Sequence, residues 1–155
     1  MEIDQILPKL YVGSYPRYDD VKKLKRYGIS AVLNVQSDED FKFLGLDWPE
    51  MRAQYFALDI EVRRVPILDF NDDELRDKLP EAVRVLSELV DEKHDVFVHC
   101  NAGANRSPSV VIAWLSWKQG WSLEKAERHV LGCHPCAPVM DVVKLAGRDR
   151  RREMP

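Results

Sequence analysis

The chain has 155 residues, 45% hydrophobic and 32% charged, with a formal net charge of −3, which suits one globular domain with a proper core. Charges of both signs are mixed along it, so no broad basic surface is implied and nucleic acid is not an expected partner. The longest apolar run, Val110 to Leu115, is far too short to cross a bilayer, Met1-Glu2-Ile3-Asp4 lacks a signal core, and three cysteines make no disulfide framework; no membrane partner, a cytoplasmic setting and a monomer are expected.

In chain order, Lys9 to Gly13 predict a first short strand, and Asp19 or Asp20 caps a helix to Tyr27 that stops at Gly28. Ile29 to Val35 is nearly all apolar, as in an interior strand covered on both faces. Residues 36 to 59 are the least regular, with a short helix from Pro49 through Phe56. Glu61 to Leu68 read as a strand, followed by an acidic loop from Asp69 to Glu74. Leu79, Ala82, Val83, Leu86, Leu89 and Val90 then recur at helical spacing, with Pro80 placed in a first turn. Val96 to Val98 predict a buried strand, and Ser107-Pro108 open an apolar helix ending at Gly120. Ser122 caps the next helix, and Pro135 and Pro138 interrupt the chain before a last helix from about Val139. Residues 148–155 read as a polar, frayed tail behind a domain of residues 1–147. Strands alternating with helices imply an α/β fold, with a mostly parallel sheet of about five strands flanked by helices on both faces. Active loops then sit at the strands' C-terminal ends.

The chemistry concentrates in Val96-Phe-Val-His-Cys-Asn-Ala-Gly-Ala-Asn-Arg-Ser-Pro-Ser109. A strand feeding a tight loop at a helix N-terminus gathers unpaired N–H groups at the positive end of a helix dipole, a cradle for anions. Asn101, Ala102, Gly103, Ala104, Asn105 and Arg106 would surround a phosphate, and Gly103 lets the backbone turn its amides inward. Beside His99 and Arg106, the Cys100 thiolate is expected to be favoured, poised to attack phosphorus. The Arg106 fork can grip two phosphoryl oxygens and stabilise the charge that builds on them. Ser107 could donate to the departing sulfur. The leaving oxygen needs a proton, and the acidic loop offers Asp69, Asp72, Asp73 and Glu74. Asp69, at the end of a predicted strand, is the best fixed of these, with Asp72 next. Phe41, Phe43, Leu44 and Trp48 form either a hydrophobic lid or a substrate-facing segment. Cys133-His-Pro-Cys136 has the spacing of a redox or zinc pair but lacks a matching second pair and follows a helix, so a structural turn is the better reading. His94 and His129 have no evident partner, and neither cofactor nor metal is expected.

The sequence His99-Cys100, five residues, Arg106-Ser107 resembles the signature of the cysteine-dependent protein tyrosine phosphatases, and Ala102-Gly103 and the small size resemble their dual-specificity branch. That resemblance implies phosphate monoester hydrolysis through a phospho-cysteine. It also implies an acid at about the distance by which Asp69 precedes Cys100; the compact chain without extra insertions suggests a shallow cleft rather than a deep phosphotyrosine slot. A rhodanese-type sulfur transferase also has a cysteine in a cradle loop, but Arg106-Ser107 fits phosphate chemistry better, and a dead phosphate-binding module would not be expected to keep both Cys100 and Arg106.

Much of the remaining chain resembles the glucan phosphatases, laforin and the plant starch phosphatases among them. The resemblance runs through Leu7 to Ser14, Asn34 to Asp38, Phe43 to Asp47, Asp69-Phe70, Leu79-Pro80 and Pro135 to Pro138. It implies a phosphorylated glucan as substrate, with Phe43 and Phe70 falling where aromatic faces contact glucose rings; Trp48 is a further substrate-facing candidate. Leu44 stands where those enzymes favour a second aromatic residue, and Asn105 where they carry glycine. The alternative substrates are phosphoproteins (phosphotyrosine, phosphoserine or phosphothreonine) and small phosphorylated metabolites.

Overall fold

Five strands, β1 (Ile3–Leu7), β2 (Leu10–Gly13), β3 (Ala31–Asn34), β4 (Glu61–Arg64) and β5 (Val96–His99), form one sheet in the order β1-β2-β5-β3-β4 in a computed structural model that describes residues 1–153. β2, β5, β3 and β4 are parallel, and β1 pairs antiparallel with β2 at the edge. Seven helices complete the described residues: α1 (Asp20–Arg26), α2 (Asp38–Leu44), α3 (Trp48–Ala57), α4 (Asp72–Asp91), α5 (Arg106–Gln119), α6 (Leu123–Cys133) and α7 (Met140–Glu153).

The period-2 alternation of the strands divides the core in two. Leu33, Val96 and Val98 pack with Leu86 of α4, Val111 of α5 and Val143 of α7 on one face. Val32 and Phe97 pack on the other face with Leu24 of α1, Phe41 of α2 and Tyr55 of α3. Burying an aliphatic side chain of this kind contributes about 1.5–3 kcal/mol, so helices cover both faces because both carry such residues. The register aligns Gly13 and Asn34 with His99. The C-terminal ends of three neighbouring strands therefore deliver their loops to one place.

Several boundaries differ from the sequence expectation. β1 was not expected; only Ile6 of its residues is buried, so its hydrophobic alternation is faint. The stretch expected to be irregular contains α2, started by Ser37, whose Oγ accepts from Asp40 N while Asp40 Oδ2 accepts from Ser37 N, and stopped by Gly45 at φ +69°. α4 begins at the Asn71 cap, so Pro80 lies inside the helix rather than in its first turn. Residues 148 to 153 continue α7 rather than fraying, and Asp149 receives two hydrogen bonds from Arg76 at 2.7 and 2.8 Å; the last two residues of the expected tail lie outside the described residues.

Candidate active site

Cys100 follows β5 directly and is buried, its Sγ 3.2 Å from Ser107 Oγ, which also lies 3.4 Å from the Gly13 carbonyl. The loop passes so close to the end of β2 that a Cβ on Gly103 (φ +72°) would sit 2.7 Å from Gly13 backbone atoms. Only glycine meets both demands, the left-handed φ and the close approach. Among the described residues, no backbone N–H from Asn101 to Ser107 is committed to a carbonyl elsewhere in the main chain. These N–H groups at the α5 N-terminus are thus left open, as an anion cradle requires.

Arg106, the first residue of α5, is buried. Its Nη1 donates to Asp40 Oδ2 and to the Ile67 carbonyl, both at 2.6 Å, while Nε and Nη2 have no hydrogen-bond partner. One edge of the guanidinium is thus anchored and the other is available to an anion in a buried setting, where an unpaired charged donor is costly. Asp40 also accepts from Asn101 Nδ2 at 2.8 Å, and Asn101 Oδ1 accepts from Gln36 Nε2 at 2.8 Å. Burial pushes the Asp40 carboxyl up, but hydrogen bonds from Arg106 and Ser37 outweigh it and hold it below the ordinary carboxylate range. Asp40 was not among the candidates expected from the sequence; it lies in the stretch 36 to 59 expected to be the least regular. Two signals mark it: Ser37 three positions before an acid, which begins a helix, and a buried Arg106, which requires a counter-ion.

His99 corrects one expectation. It was expected to help stabilise a thiolate by its charge. Burial, reinforced by the Arg106 and Arg64 charges, lowers its pKa to about 4, so the ring is neutral at physiological pH. Its Nδ1–H donates to the Cys100 carbonyl at 3.0 Å, and the ring stacks on Phe97 with centroids 5.4 Å apart. His99 thus holds the Cys100 carbonyl and brings no charge beside it.

A pocket over Arg106 is lined by Leu68, Asp69, Phe70, Asn105 and Val139 among others. Asp69 Oδ2 lies 3.3 Å from Arg106 Nη2, so the favoured acid faces the anion-binding edge. Glu74 does not, because its carboxylate accepts from Leu68 N at 3.0 Å and fixes the entry to the loop. Asp72 begins α4 and borders the same pocket. Phe70 (φ +55°) is 91% exposed and Phe43 88% exposed. Trp48 is half-buried, stacked on Phe41 at 5.8 Å with the Arg64 guanidinium over both rings. Asn105 Nδ2 donates to the Ala137 carbonyl at 2.6 Å, which gives this departure from the glucan phosphatases a structural use.

Of the remaining candidates, burial pushes the Cys136 thiol up to about 11, making it a poor nucleophile. Neither it nor Cys133 joins a metal-ligand cluster among the described residues, where only Glu61, Glu92 and His94 come together. His94 bonds Ser30 at 2.9 Å, and His129 Nε2 donates to the Ile6 carbonyl at 2.7 Å.

The chain is 35% identical over 150 residues to "Phosphoglucan phosphatase LSF1, chloroplastic" of Arabidopsis thaliana, covering 96% of this chain and 25% of that protein. It is 33% identical over 147 residues to "Phosphoglucan phosphatase DSP4, amyloplastic" of Castanea sativa, covering 93% and 39%. The chain therefore spans less than half the length of these relatives. Its fold is similar to that of Tk-PTP in the active form, with a TM-score of 0.79 at 24% identity over 98% of this chain and 97% of the other. The family model for the dual specificity phosphatase catalytic domain matches residues 10–154, and the chain belongs to that family of cysteine-based phosphatases.

Proposed function

We propose that the chain hydrolyses phosphate monoesters of a phosphorylated glucan through a phospho-cysteine intermediate. The observation that carries the hydrolysis is the divided arginine: Nη1 is tied to Asp40 and Ile67, while Nε and Nη2 make no hydrogen bond and Nη2 lies 3.3 Å from Asp69 Oδ2. The Cys100 thiolate attacks phosphorus, the S–P bond forms as the ester P–O bond breaks, and Asp69 gives its proton to the leaving oxygen. Arg106 and the loop N–H groups of residues 101 to 105 take up the charge on the non-bridging oxygens. Water then attacks phosphorus, Asp69 removes its proton, and the S–P bond breaks as the Ser107 hydroxyl donates to the returning sulfur. Inorganic phosphate leaves. His99 holds the Cys100 carbonyl throughout.

The glucan is supported by two exposed aromatic faces. Phe70 follows the proposed acid. Phe43 stands three positions after Asp40 on α2, hence on the neighbouring turn from the partner of Arg106. Exposed phenylalanines, one on α2 and one in the loop after Asp69, suit the apolar faces of sugar rings. The relatives named above, phosphoglucan phosphatases by name, agree with this reading. Both are named for plastids, and the cytoplasmic setting expected from the cysteines stands as a proposal beside it. Among the described residues no helix is long and apolar enough to cross a membrane. The test compares phosphate release from amylopectin or glycogen with release from phosphopeptides. Glucan turnover exceeding phosphopeptide turnover supports the assignment; the reverse order makes the chain a phosphoprotein phosphatase.

A further inference from the structure

The outer side of the phosphate loop is clamped at three successive points. Tyr15 N donates to the Asn101 carbonyl at 2.9 Å, and Ala137 N donates to the Ala104 carbonyl at 2.8 Å. Between them the Gly103 carbonyl accepts from His134 Nε2 at 2.7 Å. His134 ends α6 and is 1% exposed, and its other nitrogen lies 2.7 Å from Asp4 Oδ2 on β1. A carbonyl and a carboxylate can only accept, so both ring nitrogens are engaged as donors when the proton of the Asp4 contact sits on the ring. The turn Cys133 to Cys136 thus joins the first strand of the chain to the loop that holds the nucleophile.

A trans peptide unit holds its C=O and the following N–H antiparallel. Holding the Gly103 carbonyl outward therefore aims the Ala104 N–H the other way, into the cradle. The other two clamps do the same for Ala102 N–H and Asn105 N–H. The Gly103 unit is the one with least intrinsic preference, because glycine adopts either sign of φ at little cost. It is also the one whose clamp is a side chain.

We propose that His134, oriented by Asp4, is a positioning residue that presets the Ala104 N–H for the phosphoryl oxygens. This rests on the phosphatase reading above. Donors aimed before the reaction need no reorganisation during it, and a misaimed one is felt most in the transition state.

The experiment compares two variants of similar bulk, His134→Gln, which retains a donor, and His134→Leu, which does not, on an aryl phosphate with orthovanadate as transition-state mimic. His134→Leu is expected to lower kcat by about 10- to 100-fold and weaken vanadate inhibition in parallel, with little change in KM. His134→Gln is expected to stay within about threefold of the parent on both. Equal losses in the two variants, or no loss in either, overturn the proposal. Should His134→Leu not fold, Asp4→Asn decides: a several-fold loss of kcat and vanadate affinity at unchanged Tm supports it, and parental values overturn it. An inactive parent, or a Cys100→Ser variant with undiminished activity, refutes the phosphatase reading instead.

Discussion

Asp40 Oδ2 lies 2.6 Å from Arg106 Nη1, and this contact fastens α2, with its exposed Phe43, to the phosphate loop. Both side chains are nearly enclosed, so removing one charge leaves the other buried without its partner, at a cost of about 3 kcal/mol. Asp40→Asn can still accept from Ser37 N, which keeps the α2 cap, but loses the ion pair. The expected result is a lower urea midpoint and a fall of about tenfold in kcat/KM on an aryl phosphate, because Arg106 is no longer held edge-on to the substrate. Unchanged kcat/KM would show that a neutral acceptor at position 40 and the Ile67 carbonyl suffice to set the guanidinium.

Asp69 sits 3.3 Å from Arg106 with its other oxygen accepting from Phe70 N at 3.1 Å. As proton donor it matters in proportion to how badly the leaving oxygen needs the proton. Asp69→Asn should slow alkyl and phenyl phosphates by about 100-fold or more, yet leave a nitrophenyl or more acidic leaving group much less affected. Leaving-group series of equal slope for parent and variant would remove Asp69 from this role and turn attention to Asp72 on the same pocket.

The neutral, buried His99 predicts a particular stability profile. Its pKa falls from an ordinary 6.5 to about 4 in the folded protein. Between those values the unfolded chain carries a proton that the folded one does not, so stability rises with pH across the window and is fully present above it. As pH drops from about 6.5 to about 4, roughly 3 kcal/mol is lost from this group. The depressed Asp40 carboxyl adds a second loss of the same sign lower down, below the ordinary carboxylate value of 3.8. Denaturation curves of parent and His99→Asn should converge as the pH falls through the upper window. A constant gap between them would mean that His99 titrates alike in both states.

The sheet and the loop that carries Cys100 and Arg106 were legible in the sequence because each depends on neighbours in the chain. The Val96 to Val98 run, the cysteine after it and the helix opening at Arg106 and Ser107 are contiguous, and β3 is a nearly unbroken apolar stretch. What stayed hidden depends on partners far away. Asp40 meets an arginine 66 positions on, and His134 meets an aspartate 130 positions back. In sequence, nothing singles out Asp40 among three consecutive acids in the least regular stretch, and Cys133-His-Pro-Cys136 reads as no more than a structural turn. The edge strand β1 escaped for a different reason: a strand with one buried residue has almost no amphipathic signal.

The exposed aromatics separate substrate recognition from chemistry. Phe43 and Phe70 are 88% and 91% exposed, and burying either against a sugar ring would contribute about 0.5–1.5 kcal/mol. Because so little of either ring packs on the protein, Phe43→Ala and Phe70→Ala should leave Tm nearly unchanged. The double variant should lose about tenfold or more in kcat/KM toward amylopectin, while turnover of a small aryl phosphate, which has no run of sugar rings to lay across both phenylalanines, stays within about threefold. Trp48 provides the internal contrast: its stacking on Phe41 under Arg64 makes it part of the support of α2, so Trp48→Ala should lower Tm and depress both activities together. A double phenylalanine variant that lost both activities equally would place these rings in the fold of the loops, and one that kept full activity on amylopectin would rule them out as the glucan contact.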